Sequence, residues 1–285
     1  MLLALGAAII FAFGVQLTRL GLRTLDSMSG TLITIGVGTI VYWLLGPWYL
    51  ETHYWFASAV ALFVLIGVFR PIVSANLAMA GTRYLGPTIS TTLAGTAPLF
   101  ALAFGAFVLS EALTPLTVVG ACLVVTGVVM LSWRGGVHFN WPVWAVLLPI
   151  GAAILRTIAQ LLAKIGMEEL PSPYFVGLVG YSVSMVLGLA LTFLRGVSLQ
   201  SVVTADGARW FVGAGLLYAV AVYLLNASLE CGALVVVAPV VAAEPVFALL
   251  FGWWLFGEET LKPRTITAVL IVVLGILAVT ARDLI

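Results

Sequence analysis

The hydrophobic residues of this chain fall into long runs, and the polar residues and turn-formers are concentrated in short gaps between them. A helix that crosses the hydrocarbon layer of a bilayer needs about 20 mostly apolar residues, and several of these runs have that length. The pattern predicts ten helical spans, over residues 2–21, 28–46, 56–80, 85–109, 115–133, 142–165, 174–194, 209–230, 233–256 and 265–281. No gap is long enough to fold into a soluble domain, so we expect any chemistry to take place within the helix bundle.

The composition leads to the same fold class. Of the 285 residues, 63% are hydrophobic and 8% are charged, whereas soluble domains carry roughly 45–50% apolar and about 25% charged residues. Such a chain has too little polar surface to cover itself in water, but lipid accepts an apolar exterior. The sequence therefore predicts an all-α integral membrane protein. Because the apolar start lacks a basic segment and a cleavage site, we expect a first span rather than a signal peptide.

Several other classes of protein are disfavoured. A net charge of +1 without a basic stripe argues against a nucleic-acid partner. Cys122 and Cys231 lie far apart and form neither a C-x-x-C pair nor a disulfide framework, so we expect packing residues. His53 and His138 fall in different loops, and no nucleophile motif occurs, which argues against an intramembrane enzyme. We expect no metal and no cofactor; the expected partners are a small-molecule substrate and the bilayer, with the oligomeric state open.

The two halves of the chain repeat one another. Residues 98–111 (PLFALAFGAFVLSE) recur as residues 245–258 (PVFALLFGWWLFGE), and shortly after each copy comes a proline with a glycine twelve residues beyond it. Asn76 and Asn226 sit in the helix before each copy. A match over some fifty residues is unexpected by chance, even in a sequence of low diversity. We therefore predict an internal duplication.

The duplication divides the chain into residues 1–136 and 137–285, each with five predicted spans. An odd number of spans means that the second copy enters the membrane from the opposite side. Many secondary transporters are built from such inverted repeats, and their substrate sites lie near the midplane, at interrupted helices in matching places. Pro98 and Pro245 form the matched pair here, since each removes a backbone hydrogen bond and invites a kink. We consider both to be hinge candidates.

Three charged residues fall near the middle of predicted spans, namely Arg70, Arg156 and Glu244. Each costs roughly 2.5–3.5 kcal/mol on insertion scales, so each should face protein or a water-filled cavity. In one interpretation, Glu244 forms a structural ion pair with an arginine and locks two helices together. In the other, the three residues line the substrate path, with an arginine for a carboxylate or phosphate and Glu244 for an ammonium or proton. Glu244 aligns with Ala97 in the repeat, so the carboxylate exists in one half, which favours a functional role.

Helical spacing adds further substrate-binding candidates. Gln160 shares a face of the sixth span with Arg156. The other candidates are Asn76 in the third span, a polar stripe of Thr88, Thr92 and Thr96 on the fourth, and Tyr223 and Asn226 on the eighth. Threonines in spans often serve helix–helix contacts, and that alternative stays open for the stripe. A cavity with one polar and one apolar wall would suit an amphipathic substrate. The fifth and tenth spans share a face of small residues, which predicts close packing: Gly120, Gly127, Ala268 and Gly275.

The repeated segments, ending in FGAFVLSE at Glu111 and FGWWLFGE at Glu258, resemble the drug/metabolite transporter superfamily, and more closely its EamA branch. The resemblance covers nearly the whole chain. It implies a fold of ten transmembrane helices, arranged as two inverted five-helix repeats around a central cavity, and transport by alternating access. It also implies structural roles for Glu111 and Glu258, the helix-end glutamates of the family.

Within that branch, the chain is similar, though less closely, to bacterial aromatic amino acid exporters. The expected function is therefore secondary export of small metabolites, with amino acids first and with other metabolites or drugs as the alternative. A zwitterion with an apolar ring would suit an arginine, a carboxylate and an apolar cavity. The small multidrug-resistance relatives carry a glutamate in their first span, whereas residues 2–21 contain no acid here. Cation–proton antiport by that mechanism is therefore in doubt.

The orientation in the membrane stays open. The odd-numbered predicted loops carry eight basic residues, and the even-numbered loops and the C-terminal tail carry two. The positive-inside rule would place the odd-numbered loops in the cytoplasm and both termini outside. The family resemblance implies cytoplasmic termini instead. In both cases we expect a bacterial inner membrane.

Overall fold

The computed structural model describes residues 1–132, 142–194, 206–256 and 263–281, and all of the elements in these ranges are helical. The α-helices are α1 (Leu2–Gly21), α2 (Ser27–Tyr49), α3 (Ala59–Val68), α4 (Ser74–Ala94), α5 (Ala97–Phe107), α6 (Pro115–Ser132), α7 (Leu147–Glu169), α8 (Pro173–Leu194), α9 (Ala208–Cys231), α10 (Leu234–Val241), α11 (Glu244–Phe256) and α12 (Pro263–Ala281). A π-helical turn, Phe69–Val73, joins α3 to α4. Short 3₁₀ helices precede α3 and α7.

These helices confirm the predicted fold class. Within the described ranges, nine helical stretches are long and apolar enough to cross a membrane, and α3 is a shorter apolar helix. The ninth predicted span, 233–256, consists of α10 and α11 with a break of two residues between them. The boundary between the two predicted repeats, at residues 136 and 137, lies outside the described residues and stays a prediction.

The loop expected between the third and fourth spans is replaced by a turn inside α4. Ser90 Oγ lies 3.2 Å from Thr82 Oγ1 and 3.4 Å from the carbonyl oxygen of Ala78. In a straight helix, residues eight and twelve positions apart are separated by roughly 12 and 18 Å. The chain must therefore turn back between Thr82 and Ser90, where the turn-forming dipeptide Gly86-Pro87 lies. One part of α4 completes the third pass, and the other begins the fourth.

Because the chain crosses the bundle ten times, each helix ends on one of two sides. Side A is the side at which α1 begins, and side B is the side at which α1 ends. On side A, the backbone N–H of Ser58, just before α3, donates to the carboxylate of Glu169 at the end of α7. On side B, the ring of Phe211 near the start of α9 lies against Gly21 and Gly30 at the loop between α1 and α2. The start of α1 and the end of α12 therefore both lie on side A.

The first and second halves of the chain are packed closely along α6 and α12. A Cβ atom added to Gly120 would lie 2.7 Å from the carbonyl oxygen of Gly275, and one added to Gly127 would lie 2.8 Å from that of Ala268. The two backbones are therefore in direct contact, as small residues in membrane helices allow. The predicted small-residue face is confirmed. This contact joins a helix from the middle of the sequence to the last described helix.

Gly120→Ala tests this packing. The added methyl group would press against the backbone of α12, and we expect a loss of stability of about 1–3 kcal/mol from overpacking. Thermal unfolding of the purified protein in detergent measures the loss. Gly36→Ala is the matched control, because its Cβ would meet only the flexible end of Met185, at 3.6 Å. An unchanged melting temperature for Gly120→Ala would contradict the close contact.

Candidate functional site

Arg70 lies at a break in the third pass. Its backbone is extended, with φ −135° and ψ 134°, within the π-helical turn. The next residue is Pro71, and a residue before proline is disfavoured in the α conformation. The break leaves carbonyl groups without helical partners, and Ser184 Oγ of α8 lies 2.7 Å from the carbonyl oxygen of Gly67 and 2.9 Å from that of Arg70. The sequence thus places an arginine at an interrupted helix, and α8 stabilises the interruption.

The Arg70 guanidinium also contacts α1. Its Cζ atom lies 5.7 Å from the centroid of the Phe11 ring, within the range of a cation–π interaction. The Phe11 ring is in turn 6.0 Å from the ring of Tyr218 on α9. Tyr218 forms a hydrogen bond of 2.9 Å with Thr18. Aromatic side chains from both halves of the chain therefore surround the charged group.

Two further breaks lie at matching places in the two halves. α4 and α5 are separated at Gly95, and α10 and α11 are separated at Ala242. Pro98 and Pro245 each lie in the first turn of the helix that follows, where the missing N–H would have no helical partner in any case. Both helices are interrupted just before the proline rather than kinked at it. That these breaks act as hinges stays a prediction.

Glu244 is the first residue of α11, directly after the second break. The N-terminal end of a helix carries a partial positive charge, which stabilises a nearby carboxylate. The corresponding residue after the first break is Ala97. The two halves therefore have the same helix interruption but different charges at it.

The breaks and the charged side chains meet around two cavities. Cavity 1 has a volume of about 320 Å³ and lies between α1, α2, α8 and α9, with mainly apolar and aromatic lining, including Ile35, Tyr181, Phe211 and Tyr218. Cavity 2 has a volume of about 610 Å³ and is lined by both helix breaks, Pro98 and Pro245 included, and by Arg156. Five residues line both cavities, and we call them the partition: Phe11, Arg70, Gln160, Leu225 and Glu244.

The three mid-span charges interact electrostatically but are not paired directly. The carboxylate of Glu244 interacts electrostatically with the guanidinium groups of Arg70 and Arg156, and all three residues line cavity 2. In the described part of the chain, none of them forms an ion pair within 4.0 Å or a side-chain hydrogen bond. The direct ion pair considered as one interpretation is therefore not formed. The charged groups face the cavities, where water or a solute can reach them.

Two polar candidates join this site. Gln160, one turn along α7 from Arg156, belongs to the partition. Asn226 of α9 is buried and lines cavity 1, while its side-chain amide donates to the carbonyl oxygen of Pro173 at 3.3 Å. In the ranges that the structure describes, no cluster of three His, Cys, Asp or Glu side chains has the proximity of metal ligands. The described part of the site therefore offers charged and amide groups to a solute.

Two other candidates lie away from both cavities. Asn76 donates its side-chain amide to the carbonyl oxygen of Ile72, one turn back in the helix, at 2.9 Å, and lines only a pocket of about 20 Å³. Tyr223 lies on the outer face of α9 with 41% of its surface exposed. Spacing along one helix cannot show which face turns inward. The prediction that these two residues bind substrate is therefore not supported by their positions.

The threonine stripe is only partly at the site. Thr91, which belongs to the same polar stripe, lines cavity 2, whereas Thr92 and Thr96 line neither cavity. The Thr96 hydroxyl donates to the carbonyl oxygen of Leu93 at 2.6 Å, at the break before α5. The side chain of Thr88 lies outside the described part of the structure. Thr96 therefore satisfies a backbone carbonyl group of its own pass, whereas Thr91 reaches cavity 2.

Sequence reasoning missed most of the aromatic lining. Phe11, Tyr181 and Tyr218 line cavity 1 together with Arg70, and none of them carries a charge or a repeated motif that would single it out. Aromatic residues make up 11% of the chain, so one aromatic residue in a span gives no signal. The Pro71 that follows Arg70 was a usable signal for the helix break.

On side A, a carboxylate of the first half holds helices of the second half. Glu111 accepts backbone N–H groups of Leu234 and Val235 at 2.7 and 2.9 Å, and so caps the start of α10. Lys164 Nζ lies 3.8 Å from Glu111 and donates to the carbonyl oxygen of Gly232 at 2.6 Å. The capping role implied for Glu111 agrees with this geometry. Its repeat counterpart, Glu258, lies outside the described residues.

The backbone before Glu111 is strained. Ser110 has a φ of 54°, a left-handed conformation that is uncommon for residues other than glycine. The Glu111 N–H donates to the carbonyl oxygen of Gly105 at 2.9 Å, so the strained turn also closes the end of α5. The strained conformation of Ser110 occurs at the point where the chain directs the Glu111 carboxylate toward α10.

The cavities extend toward side B. Cavity 1 reaches Ser27 and Phe211, in the first turns of α2 and α9, and cavity 2 reaches Ser132 at the end of α6. The lining residues nearest side A are Val176 and Asn226, and both are buried. The helix ends around Glu111 lie beyond them. In this conformation, the two cavities are therefore more open toward side B than toward side A.

Comparisons with known proteins agree with this architecture. The model of the EamA-like transporter family matches residues 1–133 and 143–281. A solved crystal structure of a protein with 18% sequence identity superposes with a TM-score of 0.81, covering 99% of this chain and 97% of that chain. At that identity the likeness shows the fold alone. The search among curated proteins found no match.

Glu111→Ala tests the contact on side A. The change removes the acceptor for two N–H groups and leaves Lys164 without its carboxylate, so we expect a loss of about 2–4 kcal/mol in stability. Thermal unfolding in detergent measures it. Glu168→Ala is the matched control, since Glu168 is exposed at the end of α7. Equal melting temperatures for the two variants would show that the Glu111 contact does not hold the bundle.

Proposed function

Because the chain belongs to the EamA-like transporter family, whose members are membrane transporters of small solutes, we propose that it exports amphipathic metabolites, amino acids first among them. Transport would proceed by alternating access across a bacterial inner membrane. The two cavities between the repeats would hold the solute. The two helix breaks that line cavity 2 would act as hinges, because interrupted helices at a repeat interface are where such transporters bind and move.

The observation that carries the proposal is the set of three charged side chains that face the cavities without an ion pair or a side-chain hydrogen bond in the described part of the chain. An ionisable group in the bilayer is costly unless it is paired or solvated. Arg70 and Arg156 each present a guanidinium suited to two-point binding of a carboxylate. Glu244 presents a carboxylate suited to an ammonium group. A solute with both groups would complete contacts that the protein leaves open.

The lining of cavity 1 supports an aromatic solute as the first class to test. Its volume of about 320 Å³ is at the lower end of the range for ligand pockets, roughly 300–1,000 Å³. Phe11, Tyr181 and Tyr218 line cavity 1 together with Arg70, so a ring next to a carboxylate would meet other rings. Aromatic pairs of this kind contribute about 0.5–1.5 kcal/mol beyond their burial.

Charge placement supports the direction of export. Side B carries the exposed Arg23, Arg83 and Arg209, and Arg264 lies at the start of α12 on the same side. The positive-inside rule therefore favours side B as the cytoplasmic side. Since both cavities reach toward side B, a solute would enter them from the cytoplasm and leave past Glu111 on side A.

Charge-removing variants test the site. We expect Arg70→Gln, Arg156→Gln and Glu244→Gln each to lower the initial rate of transport of labelled amino acids into proteoliposomes by about tenfold or more, because each removes a charge that an oppositely charged group of the solute would contact. Arg83→Gln is the matched control, since Arg83 is exposed on side B away from both cavities. Normal rates in all three variants would show that the charged residues are not the substrate site.

Cysteine labelling tests the orientation. Cys231 is exposed at the end of α9 on side A, so in a Cys122→Ser background we expect a membrane-impermeant maleimide to label it in spheroplasts. A Cys231→Ser, Arg83→Cys variant in the same background should be labelled only in inverted vesicles. The reverse result would place side A in the cytoplasm and remove the support for export.

A further inference from the structure

The charges around cavity 2 do not cancel. Arg70 and Arg156 contribute two positive charges and Glu244 contributes one negative charge, so these lining residues leave an excess of one positive charge. No described carboxylate other than Glu244 lines either cavity. A zwitterion would occupy the site without changing that excess. A solute with one net negative charge would remove it.

From this imbalance we infer that the transported solute is an amphipathic monoanion, with one net negative charge on binding. The inference rests on the proposed transport function and narrows its substrate class. Uncompensated charge is costly in a membrane interior, and a solute that cancels it is favoured over one that does not. The charge of the solute, rather than the presence of an amino group, should therefore decide its affinity.

Two arrangements of charge satisfy this condition. A carboxylate without an ammonium group would bind one arginine, while Glu244 balances the other. An amino acid with a second acidic group would give each of the three protein charges an opposite partner. Both solutes carry one net negative charge, and the experiment below separates them.

The sign of the excess does not depend on details of the site. Protonation of Glu244 would raise the excess rather than remove it. Arg19 also lines cavity 2, toward side B, and has contacts of its own. If the contacts of Arg19 neutralise its charge, the net charge of the lining residues stays at plus one. If they do not, Arg19 makes that net charge more positive. Tyr181 and Tyr218 are neutral as phenols.

The partition explains why the solute should be amphipathic. Arg70 and Glu244 line both cavities, so an anionic group held between them lies at the boundary. Cavity 1 then receives the rest of the molecule, and its lining is mainly apolar and aromatic. The cavity would therefore select a ring or aliphatic group attached to the acid.

Four solutes with the same ring test the inference. They are L-phenylalanine, N-acetyl-L-phenylalanine, 4-carboxy-L-phenylalanine and 2-phenylethylamine, whose net charges at neutral pH are zero, minus one, minus one and plus one, because carboxyl groups are ionised and amines protonated there. Binding is measured by calorimetry on the purified protein in detergent. We expect at least one of the monoanions to bind about tenfold or more tightly than phenylalanine, with the amine weakest. Phenylalanine binding as tightly as both monoanions would overturn the inference.

Charge variants provide the reciprocal test. Arg156→Gln brings the net charge of the three residues to zero, so the preference for the monoanion over phenylalanine should fall to about onefold or reverse. Glu244→Gln brings that net charge to plus two and should increase the preference. Arg70→Gln has the same sum as Arg156→Gln and replaces it if that variant does not fold. Arg83→Gln is the control. An equal preference in all variants would overturn the inference.

The outcomes separate this inference from the proposed function. If the protein transports neutral amino acids and binds them as tightly as the monoanions, the transporter proposal stands and the charge inference fails. If no amino acid or analogue binds or is transported, the proposed substrate fails. A preference for N-acetyl-L-phenylalanine over 4-carboxy-L-phenylalanine would identify the solute as an acid without a free amine.

Discussion

An ionisable side chain at mid-bilayer must have protein or water around it, and this constraint organises the bundle around its cavities. Arg70, Arg156 and Glu244 come from the third, sixth and ninth passes, which are far apart in the sequence. They can be accommodated together only if these passes enclose a shared polar space. The cavities provide that space, and the aromatic side chains of Phe11 and Tyr181 shield it from the surrounding apolar core.

The rest of the architecture keeps this space open. Both helix breaks line cavity 2 beside continuous helices such as α7, because broken helices leave room and free backbone groups where the chain must face water. Close backbone contact at Gly120 and Gly275, and the Glu111 cap on α10, join the halves away from the cavity. Rigid contacts thus lie at the periphery and the interrupted helices at the centre, where movement would be needed.

How much of the fold and of the candidate site could be predicted from the sequence depended on how many residues carry each pattern. Spans are marked by runs of about 20 apolar residues, so nearly all of the helices were predicted. Arg70, Arg156 and Glu244 were predicted because a charge in such a run has few possible locations. Asn76 and Tyr223 lie away from both cavities, since a polar residue can turn to its own backbone or to the outside without leaving its helix.

The internal repeat was most informative where the two copies differ. A duplicated helix break provides two equivalent positions, yet Glu244 occupies one of them and Ala97 the other. The first half contributes an arginine at its own interruption, Arg70, and the second half contributes Arg156 on a continuous helix. A symmetric pair of carboxylates would have balanced the two arginines. Because only one break carries an acid, the symmetric scaffold encloses an asymmetric charge, and that asymmetry favours an anion at the site.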